Sequence, residues 1–360
     1  MTIEVSTLRF DPGATAPDAE EGAFLKAYAD LLRRELVSTY GDDDLADSAE
    51  VLQTVFREQR YRRKAVLLAR DGDTVVGGAW LAMPLTDNTS VASCAPSVDP
   101  ACDPAPVLAA LWEHVLSQVR EAGRSTVQVW TGHVVDPSAP QVVPRTGVGS
   151  LPRDATTRAL EELGLALEQV ERHSVLQVTA GLQAAARELP AAREAAGTAY
   201  RTLGWVGPTP QDRLEALARL MARMSTDAPS GGLEQEEEAW DAERVAELER
   251  VCVAAGRTRV MTVAEHVGTG DLVAYTVVEL PKDKPAAGYQ EDTLVHGDHR
   301  GHRLGMLVKA QNLRLVADHA PDVQRLHTWN AGENEHMLAI NVALGFRSVT
   351  VEGGWQLTGV

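Results

Sequence analysis

Residues 289–318 read YQEDTLVHGDHRGHRLGMLVKAQNLRLVAD, and the organisation of this stretch indicates the fold. Its first seven residues predict a strand, and the apolar residues from Leu304 onward have helical spacing. Between them lie Gly301 and Gly305, surrounded by arginine and histidine side chains. A strand that passes through a glycine-containing turn into a helix leaves unpaired backbone N–H groups at the positive end of the helix dipole. The stretch therefore predicts a phosphate-binding site.

The rest of the chain has the opposite charge. The formal net charge of the 360 residues is -17, whereas proteins that bind nucleic acid or anionic membranes need a broad basic surface. We therefore expect neither nucleic acid nor a membrane as a partner. A small anionic ligand held in one local basic pocket remains compatible with this charge.

Composition and residue spacing argue against several other classes of site. The three cysteines have no paired spacing, which disfavours both a structural zinc site and a disulfide framework. His296, His299 and His302 fall across a strand end and a loop without a carboxylate ligand set, so we expect no metal. The amino-terminal residues resemble no signal peptide, and no apolar stretch reaches the roughly 18 residues that span a bilayer. We expect a cytoplasmic protein.

The second half of the chain repeats the predicted element order of the first half. Residues 64–83 and 259–280 each predict a hairpin with a glycine-containing turn. In both halves a helix, a strand, a second helix ended by Leu-Gly, and a final strand follow. Trp130 corresponds in this order to Trp329. The repeat predicts a duplicated α+β unit, with domains at residues 1–180 and 211–360 and a linker at 181–210.

The glycine turn lacks the Walker A and GxGxxG patterns. Residues 300–305, Arg-Gly-His-Arg-Leu-Gly, instead resemble motif A of the GNAT acyltransferases, [QR]-x-x-G-x-[GA], which binds the pyrophosphate of acetyl-CoA. Arg303 stands where that motif has its middle glycine. Residues 328–347, TWNAGENEHMLAINVALGFR, resemble the N-x-x-A/M…LGF segment of the same family. The resemblance covers residues 257–357 and is closest to the bacterial tandem type.

This resemblance implies an α/β (α+β) fold of two tandem GNAT-like domains, each with a mixed, mostly antiparallel sheet flanked by helices. The first half is expected to be a degenerate, non-catalytic copy. At the position of motif A it has SVDPACDPAPVLAALWEHV, in which Asp99 and Asp103 would repel a pyrophosphate. Pro104 and Pro106 also remove backbone donors there. Only the second half is therefore expected to bind acetyl-CoA.

The resemblance also implies roles for individual residues around acetyl-CoA. The backbone N–H of Leu294 or Val295 would hold the thioester carbonyl, and Asn330 and Asn334 would contact the pantetheine arm. The residues expected to hold the pyrophosphate are Arg300, Gly301, His302, Arg303, Leu304 and Gly305. They form most of residues 298–305, which we call the basic loop.

The implied reaction is acetyl-CoA-dependent N-acetylation of a small-molecule amine by direct transfer in a ternary complex. The amine must lose a proton, and the candidate bases are Asp292 and Glu291, of which Asp292 is favoured. Adjacent strand residues point to opposite faces, so only one of the two is expected to face the cleft. Asn341 occupies the position of the tyrosine that often protonates the thiolate. A catalytically silent acyl-CoA-binding or interaction module is therefore the alternative, and self-association as a homodimer is left open.

Overall fold

The structure is a computed structural model that describes residues 2–10 and 18–360. Along these residues the elements are β1 (Ile3–Arg9), α1 (Ala19–Tyr40), α2 (Ala49–Arg57), β2 (Arg62–Asp71), β3 (Thr74–Pro84), β4 (Val91–Val98), α3 (Pro104–Glu121), β5 (Thr126–Val134), β6 (Gln141–Val142), β7 (Leu151–Pro152), α4 (Ala155–Glu162), β8 (Ala166–Gln177) and α5 (Val178–Ala196). They continue with β9 (Tyr200–Val206), α6 (Leu214–Ala222), α7 (Met224–Asp227), α8 (Ala242–Ala254), β10 (Arg257–His266), β11 (Leu272–Pro281), β12 (Ala287–Val295), α9 (Leu304–His319), β13 (Arg325–Ala331), α10 (Glu335–Leu344) and β14 (Arg347–Thr358). None of the helices in these ranges combines the length and the apolar character that crossing a bilayer requires.

The chain divides into two compact units. The first comprises Met1–Arg172, Ser230–Gln235 and Val349–Val360, and the second comprises His173–Pro229 and Glu236–Ser348. The two repeats predicted from the sequence correspond to β2-β3-β4-α3-β5-α4-β8 and β10-β11-β12-α9-β13-α10-β14. The order of elements predicted for both halves is thus present in the structure.

The first unit contains a mixed sheet with the strand order β1-β2-β3-β4-β5-β14-β8. Neighbours from β1 to β4 are antiparallel, β4 and β5 are parallel, and β5 and β14 are antiparallel. Successive residues of β2 enter alternately a core with α1 and α2 and a core with α3. Because strand side chains alternate, helices cover both faces of this sheet.

The second unit repeats this arrangement with the strand order β8-β13-β12-β11-β10-β9. The pairs β9/β10, β10/β11 and β11/β12 are antiparallel, and the pair β12/β13 is parallel. Helices α5 and α9 pack on one face and α6 and α8 on the other. The expected mixed, mostly antiparallel sheet flanked by helices is therefore confirmed in each unit.

The bounds of the units differ from the sequence-based domains at residues 1–180 and 211–360. The expected linker, residues 181–210, contains most of α5, whose residues Ala185, Leu189 and Ala192 are buried in the same core as α9. The end of β14 is counted with the first unit, because Trp355 is fully buried in that unit's core. Both differences arise from long-range packing of apolar residues, which local sequence patterns do not specify.

Polar contacts fix the position of α9 on the sheet of the second unit. Asn312 is fully buried in the helix, and its Nδ2 donates to the carbonyl oxygen of Val260 at 3.0 Å. The Thr262 hydroxyl donates to Asn312 Oδ1 at 2.9 Å. Because buried polar groups are costly to leave unpaired, these bonds hold α9 in register with β10.

Candidate functional site

The parallel strands β12 and β13 diverge within the second unit. They pair from Ala287–Tyr289 to Arg325–His327, and the ladder ends there. Yet β12 continues to Val295 and β13 to Ala331. The two carboxyl-terminal strand ends are therefore not paired with each other and border an opening between them.

A bulge interrupts β12 beside this opening. Thr276 pairs with Thr293 and Val278 with Gln290, so that Val277 faces the two residues between Gln290 and Thr293. These two residues are Glu291 and Asp292, the candidate bases. A bulge re-aims side chains, so the strict alternation expected for this pair does not apply.

The basic loop joins β12 to α9 through two left-handed residues. After a short 3-10 turn at Gly297–His299, Gly301 has φ +87°. Arg303 has φ 54° and ψ 24°, and it is the N-cap residue of α9. The side chain of Arg303 makes no cap hydrogen bond, so the amides of the first turn of α9 have no partner from the N-cap residue. The α9 amino end therefore has the features of an anion site.

Arg303 adopts a left-handed backbone conformation at the position where the motif has its middle glycine. Apart from Asn88, it is the one non-glycine residue with positive φ in the described part of the chain. A side chain in this region costs about 1–3 kcal/mol. Its guanidinium NH2 group lies 2.7 Å from Glu188 Oε2 of α5. Both side chains of this pair are partly exposed, Arg303 to 43% and Glu188 to 31%.

A cavity of about 660 Å³ opens beside the basic loop. Its walls are the end of β12, the loop, the first turn of α9, helix α10, and the segment from α7 to Pro229. Eight of the ten predicted cofactor residues line it: Leu294, Val295, Arg300, Gly301, Arg303, Leu304, Gly305 and Asn334. The Asn334 side chain also caps α10 by accepting from the amide of Met337 at 3.2 Å.

Two predicted cofactor residues have other neighbours. His302 is outside the cavity lining, and its ring lies 5.2 Å from that of Tyr200. Asn330 is also outside the lining, and its Oδ1 accepts a 2.6 Å hydrogen bond from Asn341 Nδ2. Because Asn341 is buried, this pair forms part of the packing between β13 and α10.

The sequence did not indicate the α7 wall of the cavity. Met224, Asp227, Ala228 and Pro229 line it, but a four-residue helix has no periodicity from which to predict it. On α10, Ile340 lines the cavity together with neighbouring apolar residues. The apolar spacing of that helix predicts an inward face and does not distinguish a core from a cleft.

The two candidate bases have unusual electrostatic surroundings. Part of the Glu291 side chain is exposed to solvent. Desolvation by the surrounding protein atoms and the negative charges of Glu279 and Asp292 nevertheless raise its pKa to about 8. Burial also raises the pKa of Asp292, whose Oδ2 accepts a 3.1 Å hydrogen bond from the Tyr275 hydroxyl. The positive charge of Arg259 lowers the pKa of both carboxyls, and that of Arg257 lowers the pKa of Glu291. Glu291 can therefore exchange a proton near neutral pH.

The loop histidines gather around Tyr200. The Tyr200 hydroxyl lies 3.0 Å from His299 Nδ1, and the His299 ring lies 5.4 Å from that of His266 and 5.8 Å from that of His296. Burial and the adjacent imidazoles lower the pKa of His299. Across residues 2–10 and 18–360 the structure has no group of three or more histidine, cysteine or acidic residues placed to hold a metal ion.

The corresponding place in the first unit is closed. Asp103 caps α3 by accepting from the amide of Ala105 at 3.2 Å, and Pro104 occupies the first turn. The space between β4, β5, α3 and α4 measures about 10 Å³ and is bordered by Trp112 and Leu160. In the first unit, therefore, a carboxylate caps the helix end that is uncapped in the second unit. Apolar side chains fill the space that is a cavity in the second unit.

Comparisons with known proteins agree with this architecture. No protein-family model and no curated protein matches the chain. Among solved structures it is similar to a tandem GNAT protein from the clavulanic acid biosynthesis pathway, solved without acetyl-CoA, with 24% identity, a TM-score of 0.72 and 99% of each chain covered. It is also similar to a GCN5-related N-acetyltransferase from Sphaerobacter thermophilus, with 13% identity, a TM-score of 0.59 and 98% of this chain and 95% of that chain covered. The chain therefore has the tandem GNAT fold, as the resemblance of its basic loop predicts.

Proposed function

We propose that the second unit is an acetyl-CoA-dependent N-acetyltransferase that acts on the amine of a small molecule. The observation that carries this proposal is the uncapped amino end of α9, which opens with the basic loop into a cavity of about 660 Å³. Such a helix end attracts a diphosphate, and the cavity is within the usual size range of cofactor sites. The diverging strands beside it provide a path for the pantetheine arm.

The diphosphate is assigned to the basic loop. The amides of the first turn of α9 and the guanidinium groups of Arg300 and Arg303 would share its negative charge. Gly305 lets Ile340 of α10 pack against the first turn of α9, because a Cβ there would lie 2.9 Å from Ile340 Cδ1. Asn334 is placed on the opposite wall, at the amino end of α10.

The thioester carbonyl is assigned to the backbone N–H of Val295. The amide of the next residue, His296, donates to the carbonyl oxygen of Val273 on β11 at 2.8 Å. Consecutive N–H groups of a strand point to opposite edges, so the Val295 N–H points toward the opening beside β13. A donor there stabilises the negative charge that develops on the oxygen during attack. Leu294, by the same alternation, points its N–H toward β11.

We assign the general base to Glu291, with Asp292 as the alternative. A pKa of about 8 suits a base that must take a proton from an ammonium near neutral pH. Asp292 is less suited, because the Tyr275 hydroxyl already occupies one of its oxygens. The free amine attacks the thioester carbon, the C–S bond breaks, and an amide and a thiolate result.

The thiolate must receive its proton from a group other than Asn341. An asparagine side chain has no acidic proton at neutral pH, and Asn341 Nδ2 is bound to Asn330. We assign this protonation to solvent, so that each turnover yields one amide and one thiol. Because Asn341 cannot protonate the thiolate, a second candidate function is a catalytically silent acyl-CoA-binding module.

The first unit is assigned a non-catalytic role, because its helix α3 is already capped by Asp103 and its cavity is closed. The acceptor is proposed to be cationic. A net charge of -17 raises the local concentration of positively charged amines near the protein. This property does not define which amine is the substrate.

Release of CoA from acetyl-CoA tests the proposal. The intact chain is incubated with acetyl-CoA and a panel of amines, aminoglycosides and peptides, and the free thiol is measured with a chromogenic disulfide. We expect amine-dependent thiol release together with a mass increase of one acetyl group on the amine. Binding of CoA without turnover on any amine favours the silent module, and absence of CoA binding rejects both functions.

A further inference from the structure

A carboxylate occupies the cavity beside the residue assigned to the diphosphate. Asp227 lines the same cavity as Arg300, and its Oδ2 lies 3.2 Å from the Arg300 guanidinium NH2 group. The Asp227 side chain is 9% exposed, whereas that of Arg300 is 54% exposed. The arginine is thus accessible to a ligand while its charge is already balanced by a nearly buried carboxylate.

The segment that carries this carboxylate is a single helical turn, in which Met224 packs against the core with α6 and α8 and Ser225 Oγ accepts from the amide of Glu238 at 3.0 Å. Residues 224–229, which we call the strap, consist of α7 and the two residues after it. The Asp227 amide donates to the carbonyl oxygen of Arg223, the residue before the strap, at 2.8 Å, and the Ala228 amide donates to that of Met224 at 3.2 Å. Arg223 also pairs with Asp227 Oδ1 at 2.7 Å. A single helical turn has little stability of its own, so the ion pair with Arg300 contributes to its position.

We infer that Asp227 is an internal competitor for the anion site and that the Asp227–Arg300 ion pair is a latch, which the diphosphate of acyl-CoA opens by taking over Arg300. This inference rests on the proposed function. A diphosphate carries more negative charge than one carboxylate and also receives the α9 amides, so it displaces Asp227 from the guanidinium. The latch keeps the strap against the cavity until acyl-CoA arrives.

The basic loop offers a matched comparison in Arg303. Its guanidinium pairs with Glu188 Oε2 at 2.7 Å, but Glu188 does not line the cavity. Glu188→Gln and Asp227→Asn each remove one carboxylate from a loop arginine. Only Asp227→Asn removes a negative charge from the cavity itself. A general effect of removing a negative charge would therefore change the CoA affinity of both variants. The latch would change the CoA affinity of Asp227→Asn alone.

Calorimetric titration with CoA compares the intact chain, Asp227→Asn and Glu188→Gln. We expect Asp227→Asn to bind CoA about three- to tenfold more tightly, the range for losing one partly buried ion pair. Glu188→Gln should stay within about twofold of the unchanged protein. Hydrogen exchange without CoA provides a second measurement, in which the strap amides should exchange faster in Asp227→Asn and in Arg300→Ala than in Glu188→Gln.

The outcomes separate the latch from the proposed function. Tighter CoA binding by Asp227→Asn alone, with faster exchange of the strap, supports the latch. Equal or weaker CoA binding by Asp227→Asn, or the same gain in Glu188→Gln, rejects the latch and leaves acyl-CoA binding intact. Absence of CoA binding by every variant rejects the acyl-CoA proposal, and the latch with it.

Discussion

Replacing Glu291 by glutamine is expected to lower kcat by roughly 10²- to 10⁴-fold, the usual contribution of a general base. Glutamine keeps the shape of the side chain but cannot accept the proton of the attacking amine. Because the pKa of Glu291 is raised to about 8, the rate of the unchanged enzyme should rise with pH and level off above that value. The measurement is amine-dependent CoA release from pH 6 to 10, with the acceptor found in the panel.

Asp292→Asn is the matched control for this prediction. It alters the neighbouring carboxyl in the same bulge, and we expect a smaller loss of rate and an inflection that remains near pH 8. CoA affinity should be unchanged in both variants, because neither side chain lines the cavity. If Glu291→Gln retains its rate within about tenfold while Asp292→Asn loses activity, the base is Asp292, as the sequence alone favours.

Lys309→Met is expected to stabilise the protein strongly at low pH. Lys309 lies on α9 with 3% exposure, and its Nζ is 5.4 Å from the centre of the Phe346 ring. Burial lowers its pKa from 10.5 to about 7. At pH 6 the folded state must therefore hold a buried ammonium, at a cost of about 5 kcal/mol on the scale of 1.36 kcal/mol per pKa unit. Methionine fills a similar volume without charge.

The sign of the pH dependence follows from the same pKa. Between pH 7 and about 10 the unfolded chain holds a proton on Lys309 that the folded chain has lost. The stability of the unchanged protein therefore rises over this window, and the advantage of Lys309→Met shrinks by about 1.4 kcal/mol per pH unit. Guanidinium unfolding at pH 6, 8 and 10 measures this. The exposed Lys26 provides the control Lys26→Met, whose effect on stability should be small.

The local elements of the site could be predicted from the sequence. The strand before the basic loop, helix α9 and helix α10 each have a residue pattern within a short stretch, and α10 also has a cap residue at each end, Asn334 and Gly345. The closed state of the first unit was also indicated, because Asp103 and Pro104 are a poor start for an anion-binding helix. These features depend on neighbours in the chain, which a sequence displays directly.

Features that depend on distant residues could not be predicted in this way. The bulge in β12 removes the alternation from which only one of Glu291 and Asp292 was expected to face the cleft. The contact of His302 with Tyr200 joins residues about a hundred positions apart, and it turns one loop histidine to another partner. The strap has too few residues to produce a periodic pattern, so Asp227 gave no signal.

Titration of CoA into the intact chain and into Gly305→Glu examines whether the basic loop holds a diphosphate. A side chain at Gly305 would meet Ile340 and place a negative charge in the loop, whereas a Cβ at Gly297 has no atom within 4 Å. We predict that the intact chain and Gly297→Ala bind CoA with similar affinity, and that Gly305→Glu and Arg300→Ala bind it at least about tenfold more weakly. No binding by the intact chain, or equal binding by an Arg300→Ala, Gly305→Glu double variant, is incompatible with a diphosphate site at the α9 amino end.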